Sequence, residues 1–275
     1  MAGCHRGYKR DPGNPTSVTA ESTPTLAPTP PRAIRRLAIA FTAGPDYQST
    51  EGDRRIVRVL GLDLPLRASI AILVMTLVVL FDFTRTGIPA EIQAIGRTAG
   101  AIRYQALERV ILFGLVPGLV VLLVFRDRLG NYGLGLGDWR WGLGLVAVGC
   151  IVMTPIIVSI GANAQFNSYY GISGALVVDL LVTNLLDLIP TEFVLRGFLM
   201  FTLLRTIGPL GVVVAQLPFV FVHLGKPEIE LFSTLAGGTV FGWLNWRTHS
   251  IWWSALGHVY ILTLIVAIAG AARVT

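Results

Sequence analysis

Four of the ionisable residues that lie inside otherwise apolar stretches of the chain could carry chemistry, because a charge there is costly and usually serves a function. Glu192 and Arg196 are four residues apart in the first of these stretches, so a helix would place them on one face. His223 and His258 lie in two later stretches. A carboxylate beside an imidazole can take a proton from water, and a second imidazole can donate a hydrogen bond to an oxyanion. The four residues therefore indicate a site where water could attack an amide inside the bilayer.

Further polar side chains accompany these four in the same stretches: Asn184, Asp187, Thr191, Gln216 and Ser254. Simpler interpretations of the main residues stay open. Glu192 and Arg196 could form a buried ion pair that only locks a helix. His223, near the end of its stretch, could reach the membrane interface. Asp187 could neutralise a neighbour or serve as a second carboxylate.

The composition indicates that lipid surrounds most of the chain. Hydrophobic residues make up 53% of the 275 residues and charged residues only 14%, below the roughly 25% charged residues of a soluble domain. The net charge of +6 comes mainly from the N-terminal tail and short loops, where positive residues orient membrane proteins. We therefore expect no nucleic-acid partner. Cys4 and Cys150, the only cysteines, predict no disulfide framework and no thiolate metal site.

The predicted fold is an all-α, polytopic membrane helical bundle with about seven to eight transmembrane helices. Residues 1–34, rich in Pro, Thr, Gly and Ser, are expected to be a disordered cytoplasmic tail. Residues 35–66 are expected to be a basic, partly helical interfacial segment on anionic lipid. Residues 67–275 form the predicted transmembrane helical domain. Its apolar stretches are 67–83, 109–125, 141–161, 174–206, 208–224, 230–247 and 250–270.

Three segments need a specific prediction. Residues 84–108 are too polar to span a bilayer, and residues 162–173 are expected to be a polar loop. A straight helix over residues 174–206 would be about 50 Å long, which exceeds one bilayer. Pro190 is the expected break, because proline removes a backbone hydrogen bond.

The positive residues also predict an orientation. The tail, the 126–140 loop, Arg205 and Arg247 are expected on one side of the membrane. The charge-free 162–173 loop and the loop containing Lys226 are expected on the other side. The protein is thus expected to be a multi-pass protein of the cell membrane with a cytoplasmic N-terminus.

The polar motifs resemble those of a known family. Residues 191–199, Thr-Glu-Phe-Val-Leu-Arg-Gly-Phe-Leu, resemble the first motif of the CPBP intramembrane proteases, which include the CAAX prenyl endopeptidases and bacteriocin-immunity-associated proteins. Phe219 and His223 match the second motif, and His258 matches the histidine of the third. The resemblance extends over roughly residues 126–270.

The resemblance implies an all-helical membrane fold and a glutamate-dependent endopeptidase. In the family, a leading glutamate and the second-motif histidine activate water, while the third-motif histidine and an Asn four residues later polarise the scissile carbonyl. This chain departs from the pattern twice: aligned on Arg196, it has Thr191 for the leading glutamate, and Leu262 stands at the Asn position. Glu192 could take over the missing role. Replacement donors for the Asn could be Thr263, Asn184 or Gln216.

The leading hypothesis is an intramembrane endopeptidase that acts on a membrane-associated peptide or protein. Glu192 would be the general base, with His223 as its partner. His258 would donate to the oxyanion and Arg196 would orient Glu192. The alternative is a catalytically impaired relative that binds a membrane peptide or partner, and a proton-coupled transporter ranks third because no internal repeat is visible.

No cofactor is expected. Glu192, His223 and His258 could in principle supply three ligands to a metal ion. They come from three separate stretches and no His-Glu-x-x-His helix is present, so spacing gives a metal site no support.

Overall fold

The computed structural model describes residues 47–84, 98–171 and 177–271, so the predicted tail lies outside the described residues. Helices dominate the described residues, which confirms the all-α class and a helical membrane bundle. The strands are β1 (Ile56–Val59) and β2 (Leu62–Pro65). The helices are α1 (Leu66–Thr84), α2 (Ala99–Val124, partly π-helical), α3 (Trp139–Gly161), α4 (Ala164–Tyr170), α5 (Val177–Glu192), a π-helical segment (Phe193–Met200), α6 (Phe201–Ile207), α7 (Leu210–Val214), α8 (Gln216–Phe221), α9 (Glu228–Thr248) and α10 (Trp252–Ala271), with a 3-10 turn at Leu129–Tyr132.

Four of the described helices are long and apolar enough to cross a membrane: Leu66–Thr84, Ala99–Val124, Trp139–Gly161 and Trp252–Gly270. Their large apolar side chains point outward, as lipid-facing residues do; Ile151, for example, is 73% exposed. Most described residues of the predicted stretches 174–206, 208–224 and 230–247 are also helical, in α5 to α9. How many of these further helices span the bilayer stays a prediction.

The central helix consists of α5, the π-helical segment and α6 in direct succession. The expected break at Pro190 is absent, because Pro190 lies inside α5 and the helix continues beyond it. The helix instead changes to wider π-helical turns directly after Glu192. All eight residues of Phe193–Met200 are buried, so this irregular helical segment faces protein, where a membrane protein tolerates it.

Two segments differ from the predicted polar connections. Helix α2 begins within residues 84–108, where the Thr98 side chain caps it by accepting a hydrogen bond from the Ala101 amide at 3.2 Å. Helix α4 occupies most of the expected 162–173 loop, capped in the same way by Asn163. Polarity alone misled the prediction of a loop over residues 162–173, because N-capping side chains are polar residues that begin helices. Whether the first turns of α2 enter the bilayer stays a prediction.

The described part of residues 35–66 contains a β-hairpin rather than the expected helix. Strands β1 and β2 pair antiparallel, with Val59 opposite Leu62. The turn residues Leu60 and Gly61 both have positive φ, 51° and 81°, as a tight two-residue hairpin turn requires. The β-branched residues of Ile56–Val59 favour a strand over a helix.

A charge cluster closes the end of the bundle beside the hairpin. Asp53, with a fully buried side chain, pairs with Arg67 at 3.1 Å and with Arg205 at 3.3 Å. Arg205 also donates to the Asn131 carbonyl at 3.0 Å. Nearby, Arg247 pairs with Asp138 at 3.4 Å. The 126–140 loop thus contacts both arginines predicted to share its side.

The two loops predicted for the other side of the membrane also contact each other in the structure. Lys226 lies over the Tyr170 ring, 5.9 Å from its centroid. The loop after α8 therefore contacts the residues of the predicted 162–173 loop. Which end of the bundle faces the cytoplasm stays a prediction.

We expect Asp53 to make the stability of the bundle depend on pH. Burial would raise the pKa of Asp53, but hydrogen bonds from Thr50 and Arg67 and the charge of Arg205 outweigh burial and lower it below its ordinary value. A carboxyl group of this kind stabilises the fold above its unfolded pKa of about 3.9, and that stabilisation is lost as the pH falls through the folded pKa. Asp53→Asn should therefore cost about 1–3 kcal/mol at neutral pH.

Thermal unfolding in detergent micelles between about pH 7 and pH 3 checks this expectation. The wild-type protein should lose more stability over that range than the Asp53→Asn variant. Asp63→Asn is the matched control, because Asp63 forms an exposed pair with Arg58 on the hairpin. Equal pH dependence of wild type and Asp53→Asn would contradict the assignment.

Candidate active site

A cavity of about 670 Å³ lies among the central helix, α2, α10 and the turn after α8. His223 and His258 both line the cavity. Their ring centroids are 6.4 Å apart and their planes differ by only 16°. The fold thus brings two predicted site residues, from separate apolar stretches, to one cavity.

Glu192 is fully buried and is absent from the cavity lining. Its Oε1 accepts hydrogen bonds from Arg196 Nη1 at 2.6 Å and from His258 Nδ1 at 2.9 Å. Its Oε2 accepts one from Ser254 Oγ at 2.8 Å. Both carboxylate oxygens are therefore occupied, and none of the hydrogen bonds found for Glu192 in the described residues goes to His223.

The contact with Glu192 determines which nitrogen of the His258 ring carries the hydrogen. A carboxylate without a proton can only accept, so Nδ1 of His258 carries the hydrogen. Nε2 is then the ring nitrogen left for a ligand in the cavity. This carboxylate–imidazole pair has the arrangement that orients the histidine in hydrolytic triads.

A backbone carbonyl determines in a similar way which nitrogen of the His223 ring carries the hydrogen. Its Nδ1 lies 2.8 Å from the Phe219 carbonyl oxygen, which can only accept. Neutral His223 therefore presents a lone pair at Nε2. The four-residue spacing of Phe219 and His223 supplies this carbonyl from the preceding helical turn.

Arg196 is held by an ion pair and by aromatic rings. Its side chain is 1% exposed, and its guanidinium lies 4.3 Å from the centroid of the Phe219 ring. The 2.6 Å hydrogen bond to Glu192 joins consecutive turns of the central helix. The predicted pairing of Glu192 and Arg196 on one helix face is therefore present.

The two residues that depart from the family motifs both line the cavity. Thr191 donates its hydroxyl hydrogen to the Asp187 carbonyl at 2.7 Å. Leu262 contributes an apolar surface at the position where a donor was expected. Among the candidate replacement donors, Asn184 lines the cavity but donates to Thr263 at 2.9 Å, and Gln216 donates to the Val212 carbonyl.

A charged group that the sequence analysis did not single out lies in the cavity wall. Arg109 pairs with Asp82 and with Asp187, each at 2.8 Å. Asp187 therefore neutralises a neighbour, one of the two roles considered for it. An arginine and an aspartate at the ends of two apolar stretches are the sequence signal that could have revealed this group.

A second polar group lies beside His223 and was not foreseen either. Glu230 accepts a hydrogen bond from Tyr170 at 2.7 Å and one from Lys226 at 2.9 Å. Its Oε1 lies 3.7 Å from Nε2 of His223. Spacing could have paired Lys226 with Glu230, but the approach to His223 depends on the turn between α8 and α9. Among the described residues, no three His, Cys, Asp or Glu side chains are arranged to hold a metal ion.

The fold and the site together define a helical membrane protein with two imidazoles at an internal cavity. Residues 173–264 match the family model described as type II CAAX prenyl endopeptidase Rce1-like. This match confirms the resemblance seen in the motifs, and it spans Glu192, Arg196 and both histidines. The family implies an intramembrane endopeptidase of the CAAX protease type and a peptide or protein substrate. Comparisons with curated proteins and with solved structures gave no significant match.

Proposed function

We propose that this protein is a CPBP-type intramembrane endopeptidase that hydrolyses a peptide bond of a membrane-associated peptide or protein. The observation that carries the proposal is the pair of parallel imidazoles of His223 and His258 at one cavity, 6.4 Å apart. Because both rings line one cavity, a water molecule and a peptide carbonyl in that cavity would lie beside two groups able to move protons. A cavity of about 670 Å³ is large enough for several residues of a bound peptide.

In the proposed reaction, Nε2 of His223 takes a proton from water as the water oxygen bonds to the carbonyl carbon. Protonated His258 donates from Nε2 to the oxygen that becomes negative. The C–N bond then breaks, and the proton on His223 passes to the leaving amine. General base catalysis of this kind contributes about 10²–10⁴-fold to the rate.

Glu192 then has a positioning role rather than the role of general base. Its oxygens are occupied by Arg196, His258 and Ser254, and it does not line the cavity. The carboxylate holds His258 through Nδ1 and stabilises positive charge on the ring. Arg196 in turn orients Glu192. The positioning role is consistent with the alignment, in which Glu192 occupies the second rather than the leading glutamate position.

We also propose that the protein lies in the cell membrane with its N-terminus in the cytoplasm. The arginines of one end of the bundle, including Arg205 and Arg247, support this orientation. Labelling of single cysteines introduced at the hairpin tip and at Gly225 with an impermeant reagent in intact cells tests it. Labelling at Leu60→Cys but not at Gly225→Cys would show that the orientation is the reverse of the proposed one.

The function is tested with purified protein in liposomes and an internally quenched peptide anchored by a farnesylated cysteine. The wild type is expected to cleave the peptide, and His223→Gln is expected to lower kcat by about 100-fold. His249→Asn is the control, because His249 lies outside the cavity and its left-handed backbone, φ 57°, suits Asn. Unchanged cleavage by His223→Gln would contradict the proposed chemistry.

A second candidate function is a binding protein that has lost the chemistry. Thr191 and Leu262 favour it, because they place a hydroxyl and an apolar side chain in the cavity where the family motifs have a carboxylate and an amide. This candidate predicts saturable binding of the same peptide without cleavage. It also predicts that binding survives His223→Gln, since neither histidine would contact a reacting atom.

A further inference from the structure

A carboxylate seven residues after the second-motif histidine stands next to that histidine, which is the one proposed to activate water. Glu230 Oε1 lies 3.7 Å from His223 Nε2. Glu230 is in the first turn of α9, where the helix dipole favours a negative charge. Tyr170 donates to both of its oxygens at 2.7 Å, and Lys226 donates to Oε1 at 2.9 Å. His223, Tyr170 and Lys226 line the cavity, and Glu230, which is not itself in the lining, contacts all three.

We propose that Glu230 is a catalytic residue that holds the attacking water together with His223, in place of the leading glutamate that Thr191 replaces. This inference rests on the proposed endopeptidase function. Both Nε2 of neutral His223 and Oε1 of ionised Glu230 are hydrogen-bond acceptors. One water molecule has two hydrogens and can donate one to each of two acceptors 3.7 Å apart. Its lone pairs are then free to face a peptide carbonyl in the cavity.

The proton balance of the step is simple. His223 accepts one water proton at Nε2 while the water oxygen forms its bond to the carbonyl carbon. Glu230 keeps its hydrogen bond to the remaining O–H and stabilises the imidazolium by its negative charge. When the C–N bond breaks, the proton on His223 goes to the amine, and both residues return to their starting states.

The other nearby carboxylates are less suited to this task. The hydrogen bonds found for Glu192 in the described residues go to Arg196, His258 and Ser254, and none goes to His223. Asp187 lines the cavity but is tied to Arg109 at 2.8 Å. Within the described residues, Glu230 is the carboxylate seen within 4 Å of His223. Lys226 neutralises Glu230 at rest, so the site carries an ionised carboxylate without net charge.

The experiment compares Glu230→Gln with Glu228→Gln in the liposome cleavage assay. Glu228 is an exposed carboxylate in the same helical turn and is the matched control. We expect Glu230→Gln to lower kcat by about 100-fold with little change in KM, and Glu228→Gln to stay within about twofold of wild type. Glu230→Asp should recover part of the rate, because it restores the charge at a greater distance.

The pH profile of kcat separates catalysis from a merely structural role. The charged and titratable groups around His223 are Glu230 and Lys226 from the turn and α9, His258 from α10, and Arg196 from the central helix. Removing the carboxylate removes the favourable charge for the imidazolium, so the acid limb should move to lower pH. A residue that only packs the turn would lower the rate without moving that limb.

Each outcome has a definite meaning. Glu230→Gln that cleaves as fast as Glu228→Gln overturns the role of Glu230 and leaves the endopeptidase proposal standing. A lower rate with an unmoved acid limb also overturns it and makes Glu230 a structural residue. If the wild type itself cleaves no anchored peptide while binding it, the proposed function and this inference both fail.

Discussion

Replacing Glu192 by Gln is expected to lower the free energy of unfolding by about 3–5 kcal/mol, and adding Arg196→Met should restore most of that loss. The single change leaves the guanidinium of Arg196 buried without an opposite charge, which is the costly situation for a buried pair. The double change removes both charges. Well-packed apolar replacements of such pairs are often neutral or stabilising.

Reversible unfolding in mixed micelles measures the stabilities, and the cleavage assay is run on the same three proteins. Ser254→Ala is the matched control, because it removes one neutral donor to Glu192 and should cost only about 1 kcal/mol. Cleavage should remain low in the double variant, since His258 still lacks its carboxylate. A single variant within about 1 kcal/mol of wild type would show that Arg196 does not depend on Glu192.

Replacing Leu262 by Asn is expected to raise kcat by on the order of 100-fold, because an oxyanion donor contributes about 10²–10³-fold. Leu262 lines the cavity one helical turn after His258, so an amide there would face the same carbonyl oxygen. Asn is also smaller than Leu, and the enlarged cavity alone could change binding.

Leu262→Ala controls for that loss of volume. The gain should appear in kcat with Asn and be absent with Ala, in steady-state assays with the anchored peptide. An Asn variant no faster than the Ala variant would mean that the substrate carbonyl does not approach Leu262. That result would favour a different binding direction for the peptide, with the oxyanion nearer to Thr191.

Sequence reasoning reached the site because ionisable groups in apolar stretches are rare. Glu192 and Arg196 could be paired from their spacing alone, since a helix determines which residues share a face. The Glu192–His258 hydrogen bond joins residues 66 positions apart and depends on how α10 packs against the central helix. No local pattern encodes that packing.

The residue types alone also did not show which of two neighbouring residues faces the cavity. Successive side chains on a helix point about 100° apart, so Thr191 and Glu192 cannot face one cavity equally. The family alignment indicated that Thr191 holds the leading position, and the structure places Thr191 in the cavity lining. Arg109 begins the predicted apolar stretch 109–125, and its neutralisation by Asp82 and Asp187 depends on contacts between three helices that no local pattern encodes.

The pairing of Asp53 with Arg205 has a consequence for the order of assembly during synthesis. The two residues are 152 positions apart, so the ribosome reaches Arg205 long after Asp53 has been made. At about 5–20 residues per second, that interval is roughly 8–30 seconds. Throughout it Asp53 lacks this partner, and several apolar helices must enter the membrane before the contact can form. The end of the bundle at Asp53 therefore closes only after synthesis has reached Arg205, and until then Arg67 is the partner that holds this carboxylate.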